Sequence, residues 1–325
     1  MKICQLEFVA RYIPLTNCTP NANLKRWSTM KEKTIYALGF FDGVHLGHAA
    51  LLQQCRAMAD EMGCKAGVVT FENHPDGLVF GAVPCLINTS IDRERLLRGL
   101  YGMDHVICLP FDKAMMTMPW QDFFRLLVEK YGAAGLVCGY DFRFGNRGEG
   151  TAALLQAACR ETGIPCAVVP EQSIDGVTVS STHIRSLVEG GQMEQAVKFL
   201  GHPHILTGEV VPGRQLGRTI GIPTANLHLP EGVLIPMFGV YCCRAIADGT
   251  AYPAVTNVGT RPTVGGHHVT VEPWLLGFEG DLYGRVITLE FYKFLRPEKK
   301  FDSLAALQAE IQKNAAQTIE YFEKK

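Results

Sequence analysis

From Thr34 to about Leu200, short apolar runs alternate with longer stretches of helical spacing. Ile35–Gly39, Ala66–Phe71, His105–Leu109, Leu136–Cys138 and Ala167–Val169 are predicted as buried strands. Between them, Ala49–Met62, Ile91–Tyr101, Trp120–Tyr131 and Thr151–Thr162 are predicted as helices; in the third, Phe123, Phe124, Leu127 and Val128 form one apolar face. Strands separated by helices imply right-handed crossovers and a parallel sheet covered on both faces. Ligands of such sheets bind beyond the carboxyl ends of the strands.

After about His202 the pattern changes. Ile205–Val211, Val240–Ala247, Ala251–Asn257, Val269–Leu276 and Val286–Tyr292 are predicted as strands, separated by Gly- and Pro-rich turns. With no helices between them, an antiparallel barrel is the natural closure, because it leaves no exposed edge. A final helix, Ser303–Glu323, carries Leu304, Leu307, Ile311, Ala315, Ile319 and Phe322 in one stripe that is expected to cover the barrel. Thr182–Leu200 is expected to form short joining helices. The division expected is an extension at 1–33, an α/β Rossmann-like unit at 34–186, linker helices at 187–202 and a barrel unit at 203–325. The extension holds six basic and two acidic residues without periodicity, and a flexible or loosely packed tail is expected.

Composition narrows the function. Of 325 residues, 47% are hydrophobic and 19% charged, as in ordinary globular chains. A net charge of −1 gives no reason to expect nucleic acid or an anionic membrane as partner, so an anionic substrate must be met by local groups. The eleven cysteines include no C-x-x-C pair, which favours reduced, buried thiols in the cytoplasm over a disulfide framework or zinc site. No run is long and apolar enough for a spanning helix, and Glu7 and Arg11 interrupt any signal-like N-terminal stretch.

The first chemical site is Gly39-Phe-Phe-Asp-Gly-Val-His-Leu-Gly-His48, between the first strand and the first helix. Helix N–H groups there point at an anion, with Phe41 and Asp42 in the turn. Gly39, Gly43 and Gly47 admit close backbone approach. His45 and His48 can donate hydrogen bonds as charge builds on a transferring phosphate. Ser180, Ser181 and Thr182 precede another helix and can hold triphosphate oxygens, with Arg185 adding charge; the bland alternatives are an N-cap and a surface cation. Asp141, followed by Phe142, can position Mg²⁺ or hold its loop.

The second site begins at Gly213-Arg-Gln-Leu-Gly-Arg-Thr-Ile-Gly-Ile-Pro-Thr-Ala-Asn226. Gly213, Gly217 and Gly221, with Arg218 and Thr219, suit a loop closing over phosphates, although the Walker ending is absent. Thr224 and Asn226 lie two apart on one strand face and can share Mg²⁺ with ATP. Glu272, in an apolar strand, suits a general base of raised pKa or an ion pair with an Arg such as Arg261. Pro273 removes a ladder N–H, which predicts an edge or a bulge.

These strings resemble one family. G-F-F-D-G-V-H-L-G-H, T-F-E-N-H-P (70–75), G-Y-D-F-R-F-G (139–145) and V-S-S-T-H-I-R (179–185) are similar to the FAD synthetase module of the bacterial bifunctional riboflavin kinase/FAD synthetases. G-R-T-I-G-I-P-T-A-N (217–226), N-V-G-T-R-P-T (257–263), E-P-W-L-L (272–276), G-D-L-Y-G (280–284) and F-L-R-P-E (294–298) resemble its riboflavin kinase module. Asn73, His183 and Trp274 depart from the usual residues of those motifs. The resemblance implies phosphorylation of riboflavin to FMN at the barrel and adenylylation of FMN to FAD at the parallel sheet, with Mg²⁺ as cofactor and ATP as co-substrate at both. It implies Mg-ATP contacts from Thr224 and Asn226, Glu272 as the base, and flavin contacts from Asp141, Phe142, Arg261 and Trp274. A cytoplasmic monomer or weak homo-oligomer is expected. The alternatives are a protein keeping one activity, a flavin-nucleotide sensor, or an H-x-G-H transferase for another phosphorylated substrate.

Overall fold

The computed structural model describes residues 32–81, 84–213, 217, 221–263 and 266–324. The N-terminal extension therefore falls almost wholly outside the described residues, as do Arg218 and Thr219 and the side chain of Arg261.

The first unit is a five-stranded sheet of β1 (Thr34–Leu38), β2 (Lys65–Phe71), β3 (His105–Leu109), β4 (Ala133–Gly139) and β7 (Cys166–Val169), in the order β3-β2-β1-β4-β7. Every pairing is parallel. All five residues of β1 are buried, as a central strand sandwiched by helices requires. The crossovers carry α1 (Leu46–Glu61), α2 (Pro75–Phe80), α3 (Ser90–Tyr101), α4 (Lys113–Met116), α5 (Trp120–Arg125) and α6 (Ala152–Thr162). Thr89 caps α3 by accepting the Asp92 N–H, and Gly102 closes it at φ 61°. The predicted helix 120–131 holds as α5 only to Arg125 and continues as a π-helical turn, with Phe123, Phe124 and Leu127 buried as expected. Two short hairpins escape the hydrophobic pattern because each strand has two residues: β5 (Arg143–Phe144) with β6 (Gly150–Thr151), and β8 (Ser173–Ile174) with β9 (Val177–Thr178). β1 lies between β2 and β4, so the loops after β1 and β4 part at the switch point where such sheets bind ligands.

Two helices, α7 (Ser181–Glu189) and α8 (Met193–Leu200), lead into a closed barrel. Its strands are β10 (His204–Val211), β11 (Asn226–His228), β12 (Gly239–Ala247), β13 (Thr250–Thr263), β14 (Gly266–Leu275) and β15 (Val286–Arg296), ordered β10-β11-β14-β13-β12-β15. All contacts are antiparallel, and β10 against β15 closes the ring. Leu206, Tyr241, Cys243, Val258, Val271, Leu289 and Phe291 fill the interior.

The terminal helix, α9 (Leu304–Glu323), packs on β12 and β13 with most of the expected stripe: Ala315 is buried, and Leu307, Ile311 and Phe322 are half-buried. Its buried residues are Asn314, Ala315 and Thr318, while Leu304 is 67% and Ile319 43% exposed. Polar residues join the packed side beside the stripe: Asn314 Oδ1 accepts the Arg296 Nε–H at 3.0 Å.

The units touch through polar groups. Thr207 Oγ1 of β10 donates to Asp92 Oδ1 of α3 at 2.6 Å, and Arg95 donates to Thr288 of β15 at 2.7 Å. Leu86 exchanges backbone hydrogen bonds with Gly232 and Leu234, both 2.8 Å.

Candidate active sites

At the carboxyl end of β1 the chain turns tightly into α1. Phe41 (φ 60°) and Val44 (φ 40°) adopt left-handed conformations, and Gly43 (φ 79°) has no room for a side chain, since a Cβ would meet Ile87 at 2.9 Å. This turn delivers His45 to the N-cap of α1, where its Nδ1 accepts the His48 N–H at 3.3 Å. Gly47 allows the approach, because a Cβ there would lie 3.1 Å from the His45 ring. The two imidazoles stack with centroids 3.7 Å apart and planes 14° off parallel. Burial first, and then His202, pushes His45 down to about 3. Burial followed by the neighbouring His45 and Arg93 charges also holds His48 far below the usual imidazole range. Both are therefore neutral near pH 7. Because Nδ1 of His45 accepts, its proton sits on Nε2.

Asp42, expected among the phosphate-binding residues, is 1% exposed and its oxygens are engaged. Oδ1 accepts the Ile87 N–H at 2.9 Å and the Asn88 N–H at 3.4 Å, while Oδ2 accepts Arg185 Nη2 at 2.7 Å. Arg185 Nε also donates to the Cys85 carbonyl at 3.0 Å, so Asp42 orients this cation at the rim. Ser180 caps α7 by accepting the His183 N–H at 3.3 Å. Ser181 Oγ donates to the Asp42 carbonyl at 2.9 Å, and Thr182 is exposed. Thus Ser180 holds the helix start, Ser181 the turn, and Thr182 faces solvent. His183, the departure from the family motif, packs edge-on against Phe199 at 4.7 Å. Across the switch point Asp141 is exposed, and Phe142 stacks on Phe144 at 5.3 Å.

Buried polar atoms without partners gather around this turn: Nδ1 of His48, both side-chain atoms of Asn88, and Nη1 of Arg93. Unsatisfied buried groups are costly, and such a cluster suits a polar ligand. The sequence reading passed over Asn88, Arg93 and His202. Their only signals were a polar residue beside an apolar run and the first histidine after the linker. His202 ties the turn to the barrel, with Nε2 2.9 Å from the Gly43 carbonyl and Nδ1 2.8 Å from that of Pro203.

The second cluster lies on the outside of the barrel. Leu227 pairs with Val271, so in the same register Asn226 faces Glu272, and the Ala225 N–H donates to the Pro273 carbonyl at 2.9 Å. On the other flank Glu272 pairs with Asn257. Directly opposite residues share a face, so Asn226, Glu272 and Asn257 form one row across three strands. Val271 and Leu275 point into the core, which places Glu272 and Trp274 outward. Trp274 packs with Val240, Val255 and Ala315 beneath α9. Pro273 causes no bulge: its register with β13 continues, and its missing N–H faces the flank where β11 ends. The glycines upstream press against the proposed ligands. A Cβ on Gly213 would lie 2.0 Å from Asn226 Nδ2, and one on Gly217 would lie 3.4 Å from Thr224 Oγ1 and 2.1 Å from the Ile222 carbonyl oxygen. Gly221 instead takes a left-handed turn at φ 71°. Glu298 also folds onto this edge, since a Cβ on Gly259 would meet its Oε1 at 2.1 Å. The sequence reading left Asn257 and Glu298 without roles, although both stand in its motifs.

Comparison with known proteins agrees with this division. A family model described as FAD synthetase matches residues 28–183, and one described as riboflavin kinase matches 200–322. A bifunctional riboflavin kinase/FMN adenylyltransferase of Escherichia coli strain K12 is 37% identical over 295 residues, covering 90% of this chain and 94% of that protein. One from Pseudomonas fluorescens is 36% identical over 284 residues, covering 87% and 91%. A solved structure from Streptococcus pneumoniae called a macrolide-efflux protein shares the fold at TM-score 0.79 and 28% identity, covering 89% of this chain and 94% of that one. Among the described residues here, no helix is long and apolar enough to cross a membrane. With motifs, fold and relatives all agreeing across both units, the chain belongs to the bifunctional riboflavin kinase/FMN adenylyltransferase family.

Proposed function

We propose that the barrel unit, residues 203–325, phosphorylates riboflavin with ATP, that the sheet unit, residues 34–186, adenylylates the resulting FMN to FAD, and that 187–202 link them. The observation that carries this reading is the presence of two separate constellations. One is a stacked pair of neutral imidazoles at a helix N-terminus; the other is a carboxylate set between two asparagines on a barrel face.

At the sheet unit an FMN phosphate oxygen attacks the α-phosphorus of ATP and pyrophosphate leaves. No covalent enzyme intermediate is needed, so the protein aligns the groups and stabilises developing charge. The Nε2–H of His45 and the side chain of His48 serve the phosphates, Arg185 supplies positive charge at the rim, and the N–H groups opening α1 and α7 complete the cradle. Asp141 and Phe142 stand on the loop after β4, where the flavin would enter.

At the barrel Glu272 takes the proton of the riboflavin primary hydroxyl as its oxygen attacks the γ-phosphorus, and ADP leaves. Thr224 and Asn226 offer neutral oxygens that fit Mg²⁺. Among the described residues no cluster of three or more His, Cys, Asp or Glu could hold a metal, so ATP phosphates and water would complete the shell. Mg²⁺ supplies charge neutralisation on the phosphates when bound. The flanking glycines leave the Asn226 amide its space. Trp274 lies on the Glu272 face two residues along, packed beneath α9. The described cysteines are free thiols, in keeping with a cytoplasmic protein.

Incubation with riboflavin, ATP and Mg²⁺, with flavins separated over time, should show FMN first and FAD after it. Glu272→Ala should abolish FMN formation yet leave adenylylation of supplied FMN within about twofold. His48→Ala should do the reverse, and FMN should accumulate. Loss of both activities in either folded variant would refute the two-site reading.

A further inference from the structure

Arg93 is a cation in an unusual position. It opens α3, is 1% exposed, and ranks among the largest fully buried side chains of the protein. Arginine stays charged in proteins, so this is a buried positive charge. Its Nη2 donates to the Phe71 carbonyl at the carboxyl end of β2, 2.7 Å away, and its guanidinium lies 4.4 Å from the centre of the Phe40 ring. Nη1 has no hydrogen-bond partner, and among the described residues no carboxylate lies within ion-pair distance of the guanidinium. The Cys108 thiol and the Asp42 carboxylate, itself paired with Arg185, are the groups that favour its charge. Burying an ion without a partner costs several kcal/mol, so a fold gains no stability from such a residue.

Its surroundings show what the charge serves. Phe40 belongs to the turn that carries His45 and His48, and its other side meets His74 edge-on at 4.6 Å. The Phe40 carbonyl accepts from Thr70 Oγ1 at 2.8 Å, so the end of β2 that accepts from Arg93 is tied to the turn. His48 and His74 both lie within its field, as does Asp42. The cation is thus held against the turn that carries the two imidazoles.

We propose that Arg93 is a positioning residue of the adenylylation site, its buried charge left uncompensated by the protein so that the phosphates of ATP and FMN compensate it; this rests on the adenylyltransferase reading above. The charge acts through the Phe40 turn and across the low-dielectric wall of the site, without touching the substrate. One unit charge acting over roughly 10 Å at an effective dielectric near 20 changes an affinity by about tenfold.

Arg93→Gln keeps a donor for the Phe71 carbonyl and removes the charge, whereas Arg93→Lys keeps the charge. The measurements are the thermal midpoint of the ligand-free protein, FAD binding by flavin fluorescence, kcat/KM for FMN adenylylation, and riboflavin phosphorylation. The Gln variant should unfold at the wild-type temperature or above it, bind FAD about tenfold more weakly, and lose about tenfold or more in kcat/KM. The Lys variant should stay within about threefold of wild type, and both should phosphorylate riboflavin normally. Equal rescue by Gln and Lys would mean that only the hydrogen bond matters and would overturn the proposal. So would a lowered midpoint with FAD binding intact. Should Gln fail to fold, Arg93→Met replaces it, and failure of both neutral variants to fold would place the charge in the service of the fold and sink the idea. Absence of FAD formation by the wild type would sink the adenylyltransferase reading instead, while FAD binding by the variants would still decide the role of Arg93.

Discussion

Mild acid should destabilise the substrate-free protein well above the pH at which carboxylates titrate, because its interior accepts imidazole but not imidazolium. Burial, followed by the charge of His202, pushes His45 down to about 3, and burial pushes His204 in the barrel down to about 4. Burial lowers His48 and His202 as well. Each folded value lies below the unfolded one, near 6.5. The unfolded chain therefore takes up the proton first, so the stability these residues contribute is complete above about pH 6.5 and is lost as pH falls toward the folded value. At pH 5 the loss is about 2 kcal/mol for each of His45 and His204, from about 1.5 units at 1.36 kcal/mol each. His45 and His204 together give about 4 kcal/mol, a large share of a typical stability of about 5–15 kcal/mol. Asp42 and Asp92, whose carboxyls burial raises, work in the opposite sense and offset part of the loss. Urea unfolding followed by circular dichroism at pH 7, 6 and 5 measures the slope. His45→Asn keeps a side-chain acceptor at the N-cap of α1 but does not titrate, so its loss between pH 7 and 5 should be about 2 kcal/mol smaller. A wild-type loss under about 1 kcal/mol, or an unchanged slope in the variant, would refute the reasoning.

Two further outcomes test the sites. Gly213→Ala puts a methyl group 2.0 Å from the Asn226 amide, so riboflavin phosphorylation should fall by about a hundredfold or more while adenylylation of supplied FMN stays within about twofold. A comparable loss of both rates would show the clash spreading beyond the barrel. His183→Arg should leave adenylylation within about twofold in steady-state assays, because that ring packs on Phe199 and the cap is made by its backbone N–H. A gain of tenfold or more would mean that this position does reach the nucleotide.

Much of the molecule was legible in the chain. Strand–helix alternation identified the parallel sheet, and strands without helices identified the barrel, because the periods of 2.0 and 3.6 residues are local properties. Local glycine, histidine and hydroxyl spacing likewise marked the turn between β1 and α1 and the start of α7 as candidate positions. The two-residue hairpins and α2 were missed because segments so short carry no period. The terminal helix was placed correctly, with Leu304 and Ile319 the exposed members of its stripe, but a pattern of apolar residues does not register the buried Arg296–Asn314 contact beside it.

The sequence by itself determined which motifs the chain carries and on which unit, because the motifs are contiguous and their backbone demands are met within a turn or two. Only the tertiary structure decided what those residues face. Asp42 reads as a phosphate ligand, yet loop 85–88 and Arg185 enclose it. Glu272 reads as an isolated carboxylate, yet ladder register brings Asn226 and Asn257, which are 31 residues apart by their numbers, to its two flanks. Arg93 reads as one of several arginines on a helix, yet the packing of α3 against the ends of β1 and β2 buries it beside the turn that carries the imidazoles. Burial and pairing of charge depend on segments far apart in the chain, and no local pattern encodes them.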